Sequence, residues 1–267
     1  MIKSAWVCLA ILTTSLTAYA QPVPYGNNPA VGRYQSIRGI RLYYEVYGQG
    51  KPLLMIHGNG GSIQSFSQNI PYFAQHYQVI AVDSRAHGKS TDPADSLSFE
   101  MMADDFADLL TSLRIDSAYV MGWSDGGINA ILLALRHPQQ VKKLVSTGAN
   151  LWVDSTTIVP LLWQQMQRGY ADNKDSVFTE PTRKNEWKVF KLDLLQPHIS
   201  LQSLGSIKVP TLIVAGDRDV IVTEHTVAIA RSLPNAWLWI LPNSGHATLH
   251  EHADEFNRKV DEFFRHP

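Results

Sequence analysis

The stretch Val120-Met121-Gly122-Trp123-Ser124-Asp125-Gly126-Gly127 constrains the chain more than any other. The apolar run from Ser117 to Met121 leads into it, and a long segment of helical apolar period follows at once. Strand, tight turn and helix therefore succeed one another without a spacer. Such a turn forces Ser124 into a strained backbone conformation and lifts its hydroxyl clear of the sheet. Side chains at positions 122 and 126 would collide with the neighbouring strand and helix, which accounts for Gly122 and Gly126. The helix start beneath the serine offers free N–H groups and a positive dipole end, both of which favour developing negative charge.

The rest of the chain repeats this strand-then-helix rhythm. Short apolar runs of the kind found in buried parallel strands occur at Leu53 to Ile56, Val79 to Val82, Ala118 to Met121, Lys143 to Val145 and Thr211 to Ala215. A further strand is expected from Ile40 to Gly48, ahead of the turn Gln49 to Pro52, and another from Ala236 to Leu241. Helical-period segments lie between them at Gln64 to His76, Phe99 to Leu113 and Gly126 to Arg136. The alternation predicts an α/β fold, a mostly parallel sheet with helices on both faces. The rhythm breaks after Val145 and returns at Ile207. Residues 151–204 are read as an inserted helical cap between core segments 21–150 and 205–267. The cap is rich in aromatics, among them Trp152, Trp163, Tyr170, Phe178, Trp187 and Phe190. These either line an apolar pocket or pack the cap onto the core.

Residues 1–20 have the pattern of an export signal, with Lys3 before an apolar stretch and Ala18-Tyr19-Ala20 as a small-x-small cleavage site. A secreted or periplasmic protein is expected, cut after Ala20; 267 less 20 leaves 247 residues. The single cysteine, Cys8, would leave with the signal, so the mature chain has no disulfide and no thiol nucleophile. Gln21 to Gly32, rich in Pro, Gly and Asn, reads as a poorly ordered lead-in. The apolar part of the signal is too short to span a bilayer. With 23 basic and 24 acidic side chains, and no charge run, nothing points to nucleic acid or to a membrane surface. No metal-ligating cluster and no phosphate-cradling glycine loop is present, so no cofactor is implied. The expected partner is a small-molecule ester or acyl substrate, and the oligomeric state is not indicated.

A serine hydroxyl becomes a useful nucleophile only when a base removes its proton during attack. In a parallel sheet, groups able to do this sit on loops at the carboxyl ends of strands. Gly216-Asp217-Arg218-Asp219 offers two carboxylates just past one such strand, and Pro242-Asn243-Ser244-Gly245-His246 a histidine past the next. The order serine, aspartate, histidine is that of the nucleophile-elbow hydrolases.

On these residues the chain resembles the α/β-hydrolase family over nearly its whole mature length. His57-Gly58-Asn59-Gly60-Gly61 resembles the family's oxyanion loop. Asp83-Ser84-Arg85-Ala86-His87-Gly88-Lys89-Ser90 resembles its D-x-R-G-x-G-x-S turn, with Ala86 in place of the usual glycine. The resemblance implies Ser124 as nucleophile, His246 as general base and then acid, and Asp219, favoured over Asp217, as the orienting acid; Asp154 ranks third. It implies backbone N–H groups of Asn59 and Asp125 as the oxyanion hole. His57 is expected to pack beneath the loop, Asp83, Arg85 and His87 to hold the neighbouring turn, and His250 and His252 to sit on a solvated face of the last helix. A serine at the elbow sets the chain apart from haloalkane dehalogenases and epoxide hydrolases, which use a carboxylate there.

Gly122-Trp123-Ser124-Asp125-Gly126-Gly127, together with Gly148-Ala149-Asn150, is similar to the valacyclovir hydrolase-like enzymes, where the acidic residue is associated with a substrate α-ammonium. Asp125 therefore either binds such a cation or answers the dipole of its own helix. The resemblance implies a serine hydrolase of carboxylic esters, with aminoacyl esters included. Carbon–carbon bond hydrolases, enol-lactonases and haloperoxidase-like proteins share the same constellation. A non-catalytic ligand-binding protein is the reading from another class; loss of a triad residue would mark it, and none is lost.

Overall fold

The computed structural model describes residues 23–267; the expected export signal, with Cys8, lies outside the described residues. Eight strands form one sheet. They are β1 (Gly32–Ile37), β2 (Ile40–Tyr47), β3 (Lys51–Ile56), β4 (Tyr77–Val82), β5 (Ala118–Trp123), β6 (Val141–Thr147), β7 (Thr211–Gly216) and β8 (Ala236–Leu241). Their order is β1-β2-β4-β3-β5-β6-β7-β8. Only the β1–β2 and β2–β4 pairs are antiparallel, and every pair from β4 to β8 is parallel.

The helices are α1 (Ile70–Phe73), α2 (Phe99–Ser112), α3 (Asp125–Arg136), α4 (Pro160–Asn173), α5 (Pro181–Leu195), α6 (Thr223–Ser232), α7 (Thr248–Glu251) and α8 (Ala253–Arg265). They cover the sheet on both faces, because strand side chains alternate sides. Leu54, Ile56, Ile80 and Val82 pack with Met102 and Phe106 of α2 and Ile131 of α3. Their neighbours Leu53, Met55, Val79 and Ala81 pack with Ile70 and Phe73 of α1 and Phe256, Val260 and Phe264 of α8. A continuous apolar strand is what two covered faces require. Among the described residues no helix is long and apolar enough to cross a membrane.

The structure differs from the sequence reading in four places. β1 is an unforeseen strand; its exposure pattern carries no apolar alternation, and it is fixed by the turn Arg38-Gly39, where φ is 43° and 83°. Arg33 to Ser36 register against Tyr44 to Arg41 across that hairpin. The described part of the lead-in, residues 23–32, is held rather than loose: Gly26 and Asn28 each donate a backbone N–H to the buried Glu45 carboxylate at 2.8 Å, and Tyr25 meets Tyr47 edge-on at 5.2 Å. The single helix expected over 64–76 is a 3-10 turn, Ile63–Phe66, followed by the one-turn α1. Pro71 is the cause, since it has no N–H to donate and its ring displaces the carbonyl four residues back. The last helix is likewise two, α7 and α8, broken at His252, where φ is −129°.

Between β6 and β7 the chain forms α4, α5 and a 3-10 turn, Leu201–Ser206. Trp187 stacks on Phe190 at 5.2 Å and on Tyr170 at 5.8 Å, with Phe178 alongside. These half-buried aromatics stack on one another, and Phe178, Trp187 and Phe190 line clefts on the cap whose walls do not include Ser124. The cap is pinned to the core by polar contacts. Asn185 donates to the Ala86 carbonyl at 2.7 Å, and the buried Lys188 ammonium reaches the Asp92 carboxylate at 2.9 Å.

Candidate active site

Ser124 lies between β5 and α3 with φ 56° and ψ −120°, the strained conformation expected of a non-glycine residue at this turn. The cost is absorbed by close packing around it. A Cβ on Gly122 would stand 1.9 Å from the Gly126 carbonyl oxygen, and one on Gly126 would stand 1.9 Å from that of Ile56. The Ser124 N–H donates to the Thr147 carbonyl at 2.8 Å, tying the elbow to the end of β6.

His246 follows β8. Its Nε2 is 2.9 Å from Ser124 Oγ, and its Nδ1 is 2.6 Å from Asp219 Oδ1. Asp219 is buried and also accepts the Ile221 N–H at 3.0 Å. A carboxylate on Nδ1 holds the tautomer in which Nε2 can take a proton from the serine. The loop after β6 gives the ring room: a Cβ on Gly148 would lie 2.8 Å from His246 Cε1. Asp217 is turned away, exposed to solvent, and accepts the Ser244 N–H at 3.1 Å. The backbone N–H groups of Asn243 and Ser244 hold its carboxyl below the usual carboxylate range. Asp154 binds its own loop through Thr156 and does not reach His246.

The His57–Gly61 loop runs over the elbow so closely that a Cβ on Gly58 would be 3.0 Å from Ser124 Cβ. Among the described residues, the backbone N–H groups of Asn59 and Asp125 make no hydrogen bond, so both are free to donate to an oxyanion. His57 packs beneath the loop as expected. Its Nε2 accepts the Ser84 N–H at 3.0 Å, and burial pushes its pKa down to about 3. Asp83 receives the N–H groups of Ile63 and Lys89, each at 2.8 Å, and Arg85 forms a buried pair with Asp105 at 2.6 Å. Both, with His87, hold the turn. His250 and His252 do not sit on a solvated face. Both are half-buried; His250 contacts the Ser65 carbonyl and lies edge-on to Trp123, because the break at His252 folds α7 against the 3-10 turn at Ile63–Phe66.

Two features were not legible in the sequence. The side chain of Asn59, whose loop position points only to its backbone N–H, donates to Asp125 Oδ2 at 2.8 Å and to the Val189 carbonyl of α5 at 3.3 Å. Asp193 lies one helical turn beyond Val189 on α5, and its charge acts on Asp125 as that of His246 acts on it. Burial, then repulsion from Asp193, raises the Asp125 carboxyl well above the usual range, against the Asn59 hydrogen bond. Burial raises Asp193 too, opposed by His246.

This arrangement can abstract a serine proton, hold a tetrahedral oxyanion and favour a cation beside the reacting carbon. Residues 51–198 match the family described as the alpha/beta hydrolase fold. The chain belongs to that family. Among curated relatives it is similar to the serine hydrolase BPHL of Mus musculus, 27% identical over 272 residues, covering 92% of this chain and 90% of the relative. It is also similar to the 2-hydroxy-6-oxononadienedioate/2-hydroxy-6-oxononatrienedioate hydrolase of Paraburkholderia xenovorans, 28% identical over 272 residues, covering 85% and 91%. Of the solved structures, the meta-cleavage product hydrolase of Pseudomonas fluorescens superposes with a TM-score of 0.72 at 25% identity, covering 89% of this chain and 98% of that one. Each of these three is named as a hydrolase.

Proposed function

We propose that this chain is an exported serine hydrolase of carboxylic esters, with a preference for aminoacyl esters. Ser124 Oγ attacks the ester carbonyl carbon as its proton passes to His246 Nε2. The tetrahedral oxyanion is held by the N–H groups of Asn59 and Asp125. Its collapse breaks the bond to the leaving oxygen, which takes the proton from His246. Water, deprotonated in turn by His246, then attacks the acyl-enzyme and releases the acid with the serine restored. The hydrogen-bonded path from Asp219 through His246 to Ser124 carries this reading. Asp125 supplies the substrate preference, because its buried carboxyl group lies in the residue next to the nucleophile. The export half of the proposal rests on the sequence of residues 1–20.

Carbon–carbon bond hydrolysis is the second reading, favoured by relatives such as the Paraburkholderia and Pseudomonas hydrolases above. A dioate substrate, as one relative's name describes, would bring negative charge toward Asp125 and Asp193. Like charges in a poorly solvated site repel, so these carboxyl groups favour the ester reading.

Rapid mixing with p-nitrophenyl acetate and with the p-nitrophenyl ester of valine tests the proposal. A burst stoichiometric with protein, absent in Ser124→Ala, and a faster valine ester are expected. Turnover of a vinylogous 1,5-diketone acid without turnover of either ester would transfer the assignment to carbon–carbon cleavage.

A further inference from the structure

Asp125 Oδ2 is satisfied by Asn59, but Oδ1 is buried with no hydrogen-bond partner among the described residues, in a side chain only 2% exposed. An isolated buried carboxylate oxygen costs free energy unless something donates to it. The charge set against it is that of Asp193, from the cap. The placement follows from the helix. Val189 and Asp193 are four residues apart on α5 and share a face, and the Val189 carbonyl is tied through Asn59 to Asp125 itself. Two carboxyl groups, one from the core in the residue after Ser124 and one from the cap, thus act on each other across the Asn59 bridge.

We propose that Asp193 is a second carboxylate for the substrate's primary ammonium, so that the cation is held between core and cap. This rests on the aminoacyl-ester reading and extends it from one recognition group to two. A primary ammonium has three N–H donors and can bridge two carboxylates, satisfying the free Asp125 oxygen; an N-acylated amine has neither the charge nor the donors. Without substrate, burial and the charge of Asp193 keep a proton on Asp125 to higher pH than on an ordinary carboxyl group. Cation binding therefore releases that proton, and cation preference is lost as pH falls through the raised titration of the pair. The other group facing Asp125 is Asn59, which does not titrate, and the charge acting on Asp193 is that of His246, whose partner is Asp219. His246 serves every ester alike, so its contribution cancels in a ratio of two substrates.

The experiment is the ratio of kcat/KM for valine p-nitrophenyl ester to that for its N-acetyl counterpart, from pH 4.5 to 7, in wild type, Asp193→Asn and Asp125→Asn. In Asp193→Asn the ratio should fall about tenfold or more, mostly through KM, the scale of losing a charged hydrogen bond. Its acid limb should also move to lower pH, because Asp125 no longer faces a like charge. If Asp193→Asn matches wild type in both respects while Asp125→Asn loses the preference, Asp125 alone reads the amine: the proposed function stands and the second carboxylate falls. If wild type shows no preference, both fall. Calorimetry of L-valinamide binding to Ser124→Ala in buffers of different ionisation enthalpy needs no turnover. Proton release that Asp193→Asn diminishes supports the pair, and equal release or no binding overturns it.

Discussion

Asp217 and Asp219 stand two residues apart on one loop, yet only one of them reaches His246. After β7 the chain turns sharply, and a Cβ on Gly216 would lie 2.1 Å from the Ser244 carbonyl oxygen, so the loops after β7 and β8 touch there. Asp217 spends its carboxylate on the Ser244 N–H of that contact, facing water. Asp219 is carried inward, where Ile221 N–H and His246 Nδ1 share Oδ1. Burial makes the difference chemical, since an ionic hydrogen bond to the imidazole gains strength away from water. Asp219→Asn should therefore lower kcat for p-nitrophenyl acetate by about 10³- to 10⁴-fold, the loss expected when the imidazole is held in the wrong tautomer. Asp217→Asn should stay within about twofold, since a surface turn contact does not touch the reacting groups. Steady-state rates on both variants, after a thermal melt to establish folding, decide this.

The elements show where a sequence speaks and where it does not. Ala86 stands where the resembled turn carries glycine, and the structure keeps the glycine-like backbone regardless, with φ 65°. An alanine in the left-handed region costs about 1–2 kcal/mol, while glycine at the same place loses about 0.5–1 kcal/mol more entropy from the unfolded chain. Ala86→Gly should therefore stabilise the fold by roughly 0.5 kcal/mol and raise the midpoint of thermal unfolding by a degree or two, read by calorimetry. Strands β2 to β8 and helices α2 and α3 were legible because each carries an apolar or amphipathic run of the period its element requires. β1 was not, because it is a mostly exposed edge strand whose position depends on a positive-φ turn and on Glu45 anchoring the segment before it. Of the site, Ser124, His246 and Asp219 could be read from motif order, since each follows a strand end. Asp193 could not, because it lies in a cap helix of weak amphipathicity, where an aspartate between Leu192 and Leu194 reads as surface. Only the tertiary fold turns that helix toward the elbow. Asn59 was half legible: its backbone role follows from loop position, and its side-chain role requires knowing where α5 passes.

At the scale of the molecule, buried titratable groups couple the fold to pH with opposite signs. His225 on α6 accepts the Leu151 N–H through Nε2 at 3.0 Å, with Trp152 edge-on at 4.4 Å, and burial pushes its pKa down to about 4. An unfolded histidine titrates near 6.5, so between about 4 and 6.5 the unfolded chain binds the extra proton. Stability from neutral His225 is thus fully present above about 6.5 and lost as pH falls through that window. Asp83 runs the other way. Burial raises it to about 6, so the folded state is the better proton binder, and its contribution is lost as pH rises from about 4 to 6. Total stability against pH therefore mixes both signs, and only a difference isolates one group. His225→Gln keeps an acceptor for Leu151 but cannot be protonated. Denaturant unfolding of wild type and variant at pH 7 and pH 4.5 should show the variant losing less stability on acidification, by up to about 1 kcal/mol per pH unit. Equal losses would mean that His225 protonates in the folded state without cost. The consequence reaches the site, because Leu151 continues the loop whose Gly148 sits against the His246 ring. A charged His225 can no longer hold Leu151, and the loop that gives the general base its room loses an anchor. Activity on p-nitrophenyl acetate should then fall on the acid side more steeply in wild type than in His225→Gln.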